Sequence, residues 1–255
     1  MDDFNKNLNG FHIENGVLVS HAAIATFRDF QKNYYEVREK EKRVLSIAEI
    51  LKLPYVEPTS TDYSLWKTRR YNINRFLKYL SKKKKRLQIL DIGCGNGFFT
   101  NLMYAQGHSL MGLDVNLVEL RQAAEAFGSS TITWVYADIF SDDLPMKKFD
   151  MITLCSSFHY FEHPTQLLRR CKELLHPDGE IHLIDSPFYR ETEIEMAKKR
   201  SMQYFRSIGT ENMRKYYHHN SYKVFDGFDI IFKYKPNKLR IRIFQDSPFP
   251  WILIQ

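Results

Sequence analysis

Cysteine is scarce in this chain: Cys94, Cys155 and Cys171 are the three in 255 residues, and they form no paired spacing. That leaves no basis for a disulfide framework or a zinc site, and a reducing, cytoplasmic setting is expected. No apolar run reaches about 18 residues, so no transmembrane helix and no membrane partner are expected. The opening Met1-Asp2-Asp3-Phe4-Asn5-Lys6 is acidic and polar, which does not read as a secretory signal. Two common phosphate-binding patterns are missing as well. No Gly-Lys-Ser/Thr occurs, and no G-x-G-x-x-G.

What is there suffices for one domain with elaborations: 255 residues, 44% hydrophobic, with a net charge of +7. Much of that charge sits in Lys82-Lys83-Lys84-Lys85-Arg86 and Lys198-Lys199-Arg200. The first run directly precedes an apolar segment and reads as a solvated loop or helix end. Basic patches without a reading motif say little about nucleic acid.

The most informative stretch is Leu90-Asp91-Ile92-Gly93-Cys94-Gly95-Asn96-Gly97. Residues 87–92 read as a short buried strand, and residues 98–105 as a helix opening on bulky apolar residues. The glycines therefore occupy a strand–turn–helix corner, where a parallel sheet can present a ligand to a helix N-terminus. Glycine lets the backbone turn sharply and a ligand approach closely. Asp91 places a negative charge where a diphosphate would lie, which suits a ligand carrying an ammonium group.

The pattern repeats. Residues 109–114 read as a second strand ending in Asp114, followed by a helix over 115–127. Residues 132–137 read as a third strand, leading to Asp138 and Ile139. Residues 149–154 read as a fourth, running into Cys155-Ser156-Ser157-Phe158-His159-Tyr160-Phe161. A helix over 164–175 follows, with Pro164 in its first turn. The turn Pro177-Asp178-Gly179-Glu180 then leads into a fifth strand, 181–185.

Asp91-Ile92-Gly93-Cys94-Gly95-Asn96-Gly97, with this succession behind it, resembles motif I of the class I S-adenosylmethionine-dependent methyltransferases. The resemblance covers residues 85–185 and fades toward both ends. It implies an α/β fold: a Rossmann-like, doubly wound, seven-stranded, mostly parallel sheet with an antiparallel last strand. It implies S-adenosyl-L-methionine as cofactor, held by Asp91, Gly93, Cys94, Gly95 and Gly97. Asp114 would meet the ribose, with Val115 next to it in the cofactor site, Asp138 and Ile139 the adenine, and Cys155 and Ser156 the methionine part. A carboxylate at a strand tip can accept both ribose hydroxyls, although Asp114 also reads as a helix cap.

Residues 1–80 read as a mostly helical extension covering the cofactor site, with helices over 22–33, 34–43 and 63–79 and a break at 51–58. Trp66 and Arg69 can share a helix face, and the resemblance gives Arg69 or Arg70 the carboxylate of the methionine part. Residues 81–255 read as the methyltransferase domain, with a lid-like insertion at 190–220. Residues 228–234 and 239–244 alternate as strands, an expected antiparallel pair around Pro236-Asn237. Residues 251–254 read as a further edge strand or a packed terminus.

Methyl transfer from a sulfonium is an in-line displacement, so the protein mainly binds, aligns and sometimes removes a proton. His159 is the first candidate for the base and Tyr160 for orienting the acceptor; His218-His219 is a second candidate pair. Asp185-Ser186-Pro187-Phe188-Tyr189 resembles the D/N-P-P-Y/F motif of amine-methylating enzymes. It follows the fifth strand rather than the fourth and has Ser in second place, so it reads as a strand-end turn on the substrate side. A small-molecule acceptor is the leading expectation. An RNA or protein methyltransferase, or a catalytically inactive cofactor-binding partner, stays open. A dehydrogenase is disfavoured by the glycine spacing and Asp91.

Overall fold

The computed structural model describes residues 10–141, 144 and 148–255; the opening residues 1–6 discussed above lie outside the described residues. The chain starts with a hairpin, β1 (Phe11–Glu14) and β2 (Val17–Ser20), turning at Asn15-Gly16 with both φ angles positive. An Asn-Gly pair between apolar-alternating runs is a strong two-residue hairpin signal. Helix α1 (His21–Lys40) follows as one continuous helix, where the sequence reading expected two. Helix α2 (Ile47–Ile50) is fixed by a capping box between Ser46 and Glu49. Helix α3 (Tyr63–Leu80) leads into the glycine corner.

The βα units come next, in the order expected: β3 (Gln88–Ile92), α4 (Phe98–Tyr104), β4 (Ser109–Asp114), α5 (Leu117–Ala126), β5 (Thr133–Tyr136), β6 (Phe149–Cys155), α6 (Pro164–Leu174) and β7 (Leu175–Ile184). The turn at Pro177–Gly179 appears as an irregularity in β7, where the register against β6 jumps from Leu175 to Glu180. The insertion expected at 190–220 contains α7 (Glu191–Ser207). The chain ends with β8 (Ile230–Tyr234), α8 (Lys238–Phe244) and β9 (Trp251–Ile254).

Among the described residues one sheet of nine strands forms, ordered β1-β2-β5-β4-β3-β6-β7-β9-β8. This is two more than expected, because the N-terminal hairpin joins it: β2 lies parallel to β5, with Leu18 opposite Val135. The antiparallel seventh strand of the expected fold is β9, inserted between β7 and β8. Residues 239–244 are helical, not a strand. Asn237 caps them, its side chain accepting from the backbone N–H of Leu239 and Arg240.

The sheet is covered on both faces. Leu90, Ile92, Leu113, Ile152 and Leu183 pack on Leu167, Leu168 and Cys171 of α6. Ile89, Leu110 and Met151 pack on Ile73, Phe76 and Leu80 of α3, with Phe99 and Leu120 from α4 and α5. Each such fully buried side chain contributes about 2 kcal/mol through burial. A third cluster, Val37, Phe205 and Met213 with Phe30, Tyr34, Tyr160 and Tyr217 around it, ties α1 to the insertion. The antiparallel pairing places residues 235–250 at the same end of the sheet as the glycine corner, since Trp251 lies opposite Ile184 and Tyr234.

Candidate active site

Two adjoining cavities open at the C-terminal ends of the parallel strands. The larger, about 590 Å³, is walled by Gly93, Gly95, Asp114, Val115, Asp138 and Ile139 on the sheet side. The smaller, about 110 Å³, is walled by Trp66, Arg69, Cys94, Asn96, Cys155 and Asp185. Tyr34, Gly93, Gly95, Glu119 and Ser156 line both, so the two are halves of one cleft. The total is in the range of about 300–1,000 Å³ typical of small-molecule sites.

The glycine corner is held by its acids. Asp114 accepts the backbone N–H of Gly95 through Oδ2 at 2.7 Å and that of Asn116 through Oδ1 at 2.8 Å. Burial pushes its pKa up to about 6, against the pull of those donors. Asp138 accepts the N–H of Phe140, which shapes the loop behind Ile139. Asp91 is placed differently from expectation. It is 1% exposed and lines neither cavity. It accepts hydroxyls from Thr100 at 2.6 Å and Thr153 at 2.8 Å, and burial pushes its pKa up to about 6. From there it braces β3 against α4 and β6. Gly97 is also away from the cavity walls; a Cβ there would meet the Trp134 ring at 2.5 Å.

In the smaller cavity Arg69 lies over the Trp66 ring and its Nε is 3.2 Å from Asp185 Oδ2. Arg70 instead stacks on Tyr55. Ser156 donates to Asp185 at 2.9 Å, and both hold positive φ, 57° and 55°. Non-glycine residues in that region carry backbone strain of about 1 kcal/mol or more, held here by surrounding structure. Asp185 directly follows β7, as a strand-end residue should, but it lines the smaller cavity beside Arg69 rather than the larger one.

The roof comes from α1, the segment between β6 and α6, and the insertion. Phe27, Phe30, Tyr34, Tyr160, Phe161 and Tyr216 line the larger cavity, joined by His163, Lys215 and His218. Arg38 donates to Tyr160 Oη at 3.3 Å and sits over Tyr34 at 4.6 Å. Asp29 of α1 accepts from Lys215 and Tyr216 across the roof.

His159 is not brought to the cavity. It is 7% exposed, behind Tyr160 and Tyr217, and lines neither wall. Burial first, then Arg69, Arg38, His219 and His218, push its pKa down to about 3. A ring whose conjugate acid gives up its proton so readily is neutral at pH 7 and a poor proton acceptor. One outcome follows for stability. The unfolded ring titrates near about 6.5 and the folded one near 3, so its contribution is present above pH 6.5 and lost as the pH falls. From pH 7 to pH 5 that group costs the protein about 2 kcal/mol. His159→Gln therefore loses less unfolding free energy over that interval by about the same amount; denaturant titrations at the two pH values read it.

His159 and His163 stand four apart as His-x-x-x-His, a spacing the sequence reading took to be missing. Among the described residues no group of three or more His, Cys, Asp or Glu could hold a metal ion. The sequence reading also missed Glu119, whose carboxylate lies over Gly95, where an added Cβ would be 3.1 Å from Oε2. Burial and then Asp114 push its pKa up to about 7. Its position in the first turn of α5, five residues beyond Asp114, was the available signal. Tyr34 and Arg38, placed by the long α1, had none.

The methyltransferase-domain family matches residues 90–183. An uncharacterized methyltransferase of Mycobacterium tuberculosis is 28% identical over 96 residues, 38% of this chain and 49% of that protein. A ubiquinone biosynthesis O-methyltransferase of Pseudomonas fluorescens is 25% identical over 167 residues, 64% of this chain and 62% of that one. The chain spans about half the length of the first of these relatives. Among solved structures, the YcgJ protein from Bacillus subtilis has a TM-score of 0.55 at 18% identity, covering 66% of this chain and 72% of that one. The CurJ carbon methyltransferase has 0.56 at 15%, covering 92% and 69%. At those identities the two structures speak for the fold. The matched stretch holds the glycine corner and most of the central parallel sheet, so the resemblance to the class I S-adenosylmethionine-dependent methyltransferases is borne out over that region.

Proposed function

We propose that this protein transfers a methyl group from S-adenosylmethionine to a small-molecule acceptor held under the aromatic roof. The observation that carries this reading is the continuity of the larger cavity. Its wall runs from Asp114, Asp138 and Ile139 to Tyr160, His163, Tyr216 and His218 as one cleft. Such a space suits a metabolite better than a polymer.

The residues fit the cofactor. Gly93 and Gly95 have positive φ and line both cavities, so the backbone itself forms the floor. Asp114 offers carboxylate lone pairs beyond its two backbone bonds, and Val115 and Ile139 offer apolar surface for a ring. Arg69 and the acids Asp185 and Glu119 present both signs of charge to a zwitterionic end. Bound there, S-adenosylmethionine supplies an electrophilic methyl group on a sulfonium sulfur. Tyr160 lies on the acceptor side, its hydroxyl held by Arg38. His218, half-buried and with its pKa lowered by burial, lines the same space and is better placed than His159 to take a proton from a hydroxyl. The ubiquinone-biosynthesis relatives are O-methyltransferases by name, so hydroxyl acceptors come first.

The test is incubation with methyl-labelled S-adenosylmethionine and a cell extract separated into small-molecule, RNA and protein fractions. Label is expected in the small-molecule fraction, and its loss in Tyr160→Ala and His218→Ala. Label confined to RNA or protein would overturn the small-molecule reading. Cofactor binding with no label anywhere would favour a partner protein without turnover.

A further inference from the structure

The segment between β8 and β9 is divided. Its second half is anchored: Asp246 pairs with Arg75 at 2.6 Å, and Ser247 bonds Asn72 and Asp185. Its first half, α8, is not. No residue of this helix is buried. Leu239, Ile243 and Phe244 are 64%, 58% and 56% exposed, although each is a side chain that normally seeks a core.

The charge around them is of one sign. Lys233, Lys235, Lys238, Arg240 and Arg242 are all exposed, and no acidic residue occurs from 230 to 245. Arg240 is partly neutralised by Asp246; Lys238 and Arg242 have no ion-pair partner among the described residues. Apolar side chains standing in water beside uncompensated cations match the chemistry of an interface between acyl chains and anionic headgroups. A nucleic acid would complement the cations but not Leu239, Ile243 and Phe244. Tyr71 of α3 bonds the Phe244 carbonyl, and α3 also carries Trp66 and Arg69 of the cleft. This face therefore flanks the cofactor end of the sheet.

We infer that α8 and the end of β8 dock the protein onto an anionic lipid surface, at the same end of the sheet as the cleft. The expectation of no membrane partner rested on spanning segments, and no described helix is long and apolar enough to cross a membrane. Docking at the interface needs none.

The test is cosedimentation of the full chain with vesicles of phosphatidylcholine alone and of phosphatidylcholine mixed equally with phosphatidylglycerol. Pelleting with the mixed vesicles only, reversed by salt, is expected. The triple variant Leu239→Gln, Ile243→Gln, Phe244→Gln and the double variant Lys238→Gln, Arg242→Gln should each weaken association by about tenfold or more. Both should keep the wild-type melting temperature and S-adenosylmethionine affinity, since α8 is exposed and lines neither cavity. No pelleting with mixed vesicles overturns the inference. So does wild-type pelleting by the triple variant, and so does RNA binding that only the charge variant loses, which would assign the patch to nucleic acid.

Discussion

Asp114→Ala is expected to weaken S-adenosylmethionine binding by at least about a hundredfold in a calorimetric titration. Two effects combine. The carboxylate is the one strand-tip acid on the larger cavity that also grips the glycine loop, through Gly95 N–H at 2.7 Å and Asn116 N–H at 2.8 Å. Charge-assisted bonds of this kind are worth about 1.5–3 kcal/mol each. Removing the side chain leaves the Gly95 N–H without its acceptor and frees the corner that shapes the cavity floor. It also deletes the acceptor that the ribose reading assigns to the cofactor. Asp114→Asn separates the two. Its amide oxygen can still accept from Gly95, so the loop should hold while the affinity falls by a smaller factor. Unchanged affinity in both variants would sink the cofactor assignment, whatever the melting temperatures show.

Asp114 was legible because its signal is local: an apolar strand, an acid at its tip, and a helix directly behind. The same holds for the glycine corner, Asp138-Ile139 and Ser156. Where the reading failed, the competing physics can be named. Leu239, Ile241 and Ile243 alternate with Arg240 and Arg242, a period of two that reads as a strand. The alternation has no sheet face to meet there, and the Asn237 cap starts a helix instead. The N-terminal hairpin was legible and passed over: Asn15-Gly16 sits between Ile13 and Val17 with alternating neighbours. His159 shows the other limit. Its position after β6 is visible in the sequence; its burial behind Tyr160 and Tyr217 depends on an insertion whose Tyr217 lies 58 positions later in the chain, which no local pattern reveals. Asp91 lies between these cases. Its position in the motif is plain, but only the packing shows it spending both oxygens on Thr100 and Thr153.

The three glycines of the motif look equivalent in sequence, and alanine at each should separate them. All three have positive φ, which costs a residue with a Cβ about 1 kcal/mol or more. Gly93→Ala adds a collision: its Cβ would stand 2.3 Å from Ser157 Cβ and 2.8 Å from Oγ, and that hydroxyl is bonded to the Ile92 carbonyl. Ser157 is buried and cannot swing away. Strain and overpacking together predict a loss of about 2–5 kcal/mol in unfolding free energy. Gly97→Ala meets the Trp134 ring at 2.5 Å and Ala123 Cβ at 2.8 Å, both in the core, and should cost a similar amount. Gly95→Ala meets only the tip of Glu119 at 3.1 Å, a side chain in the cleft that can rotate aside. It should cost only about 1 kcal/mol in stability. Its larger effect should fall on S-adenosylmethionine affinity, because the methyl enters the space shared by both cavities. Denaturant titration and calorimetry on the three variants check this. Equal stability losses at all three positions would show that the motif is conformational throughout, with no glycine kept clear for a ligand.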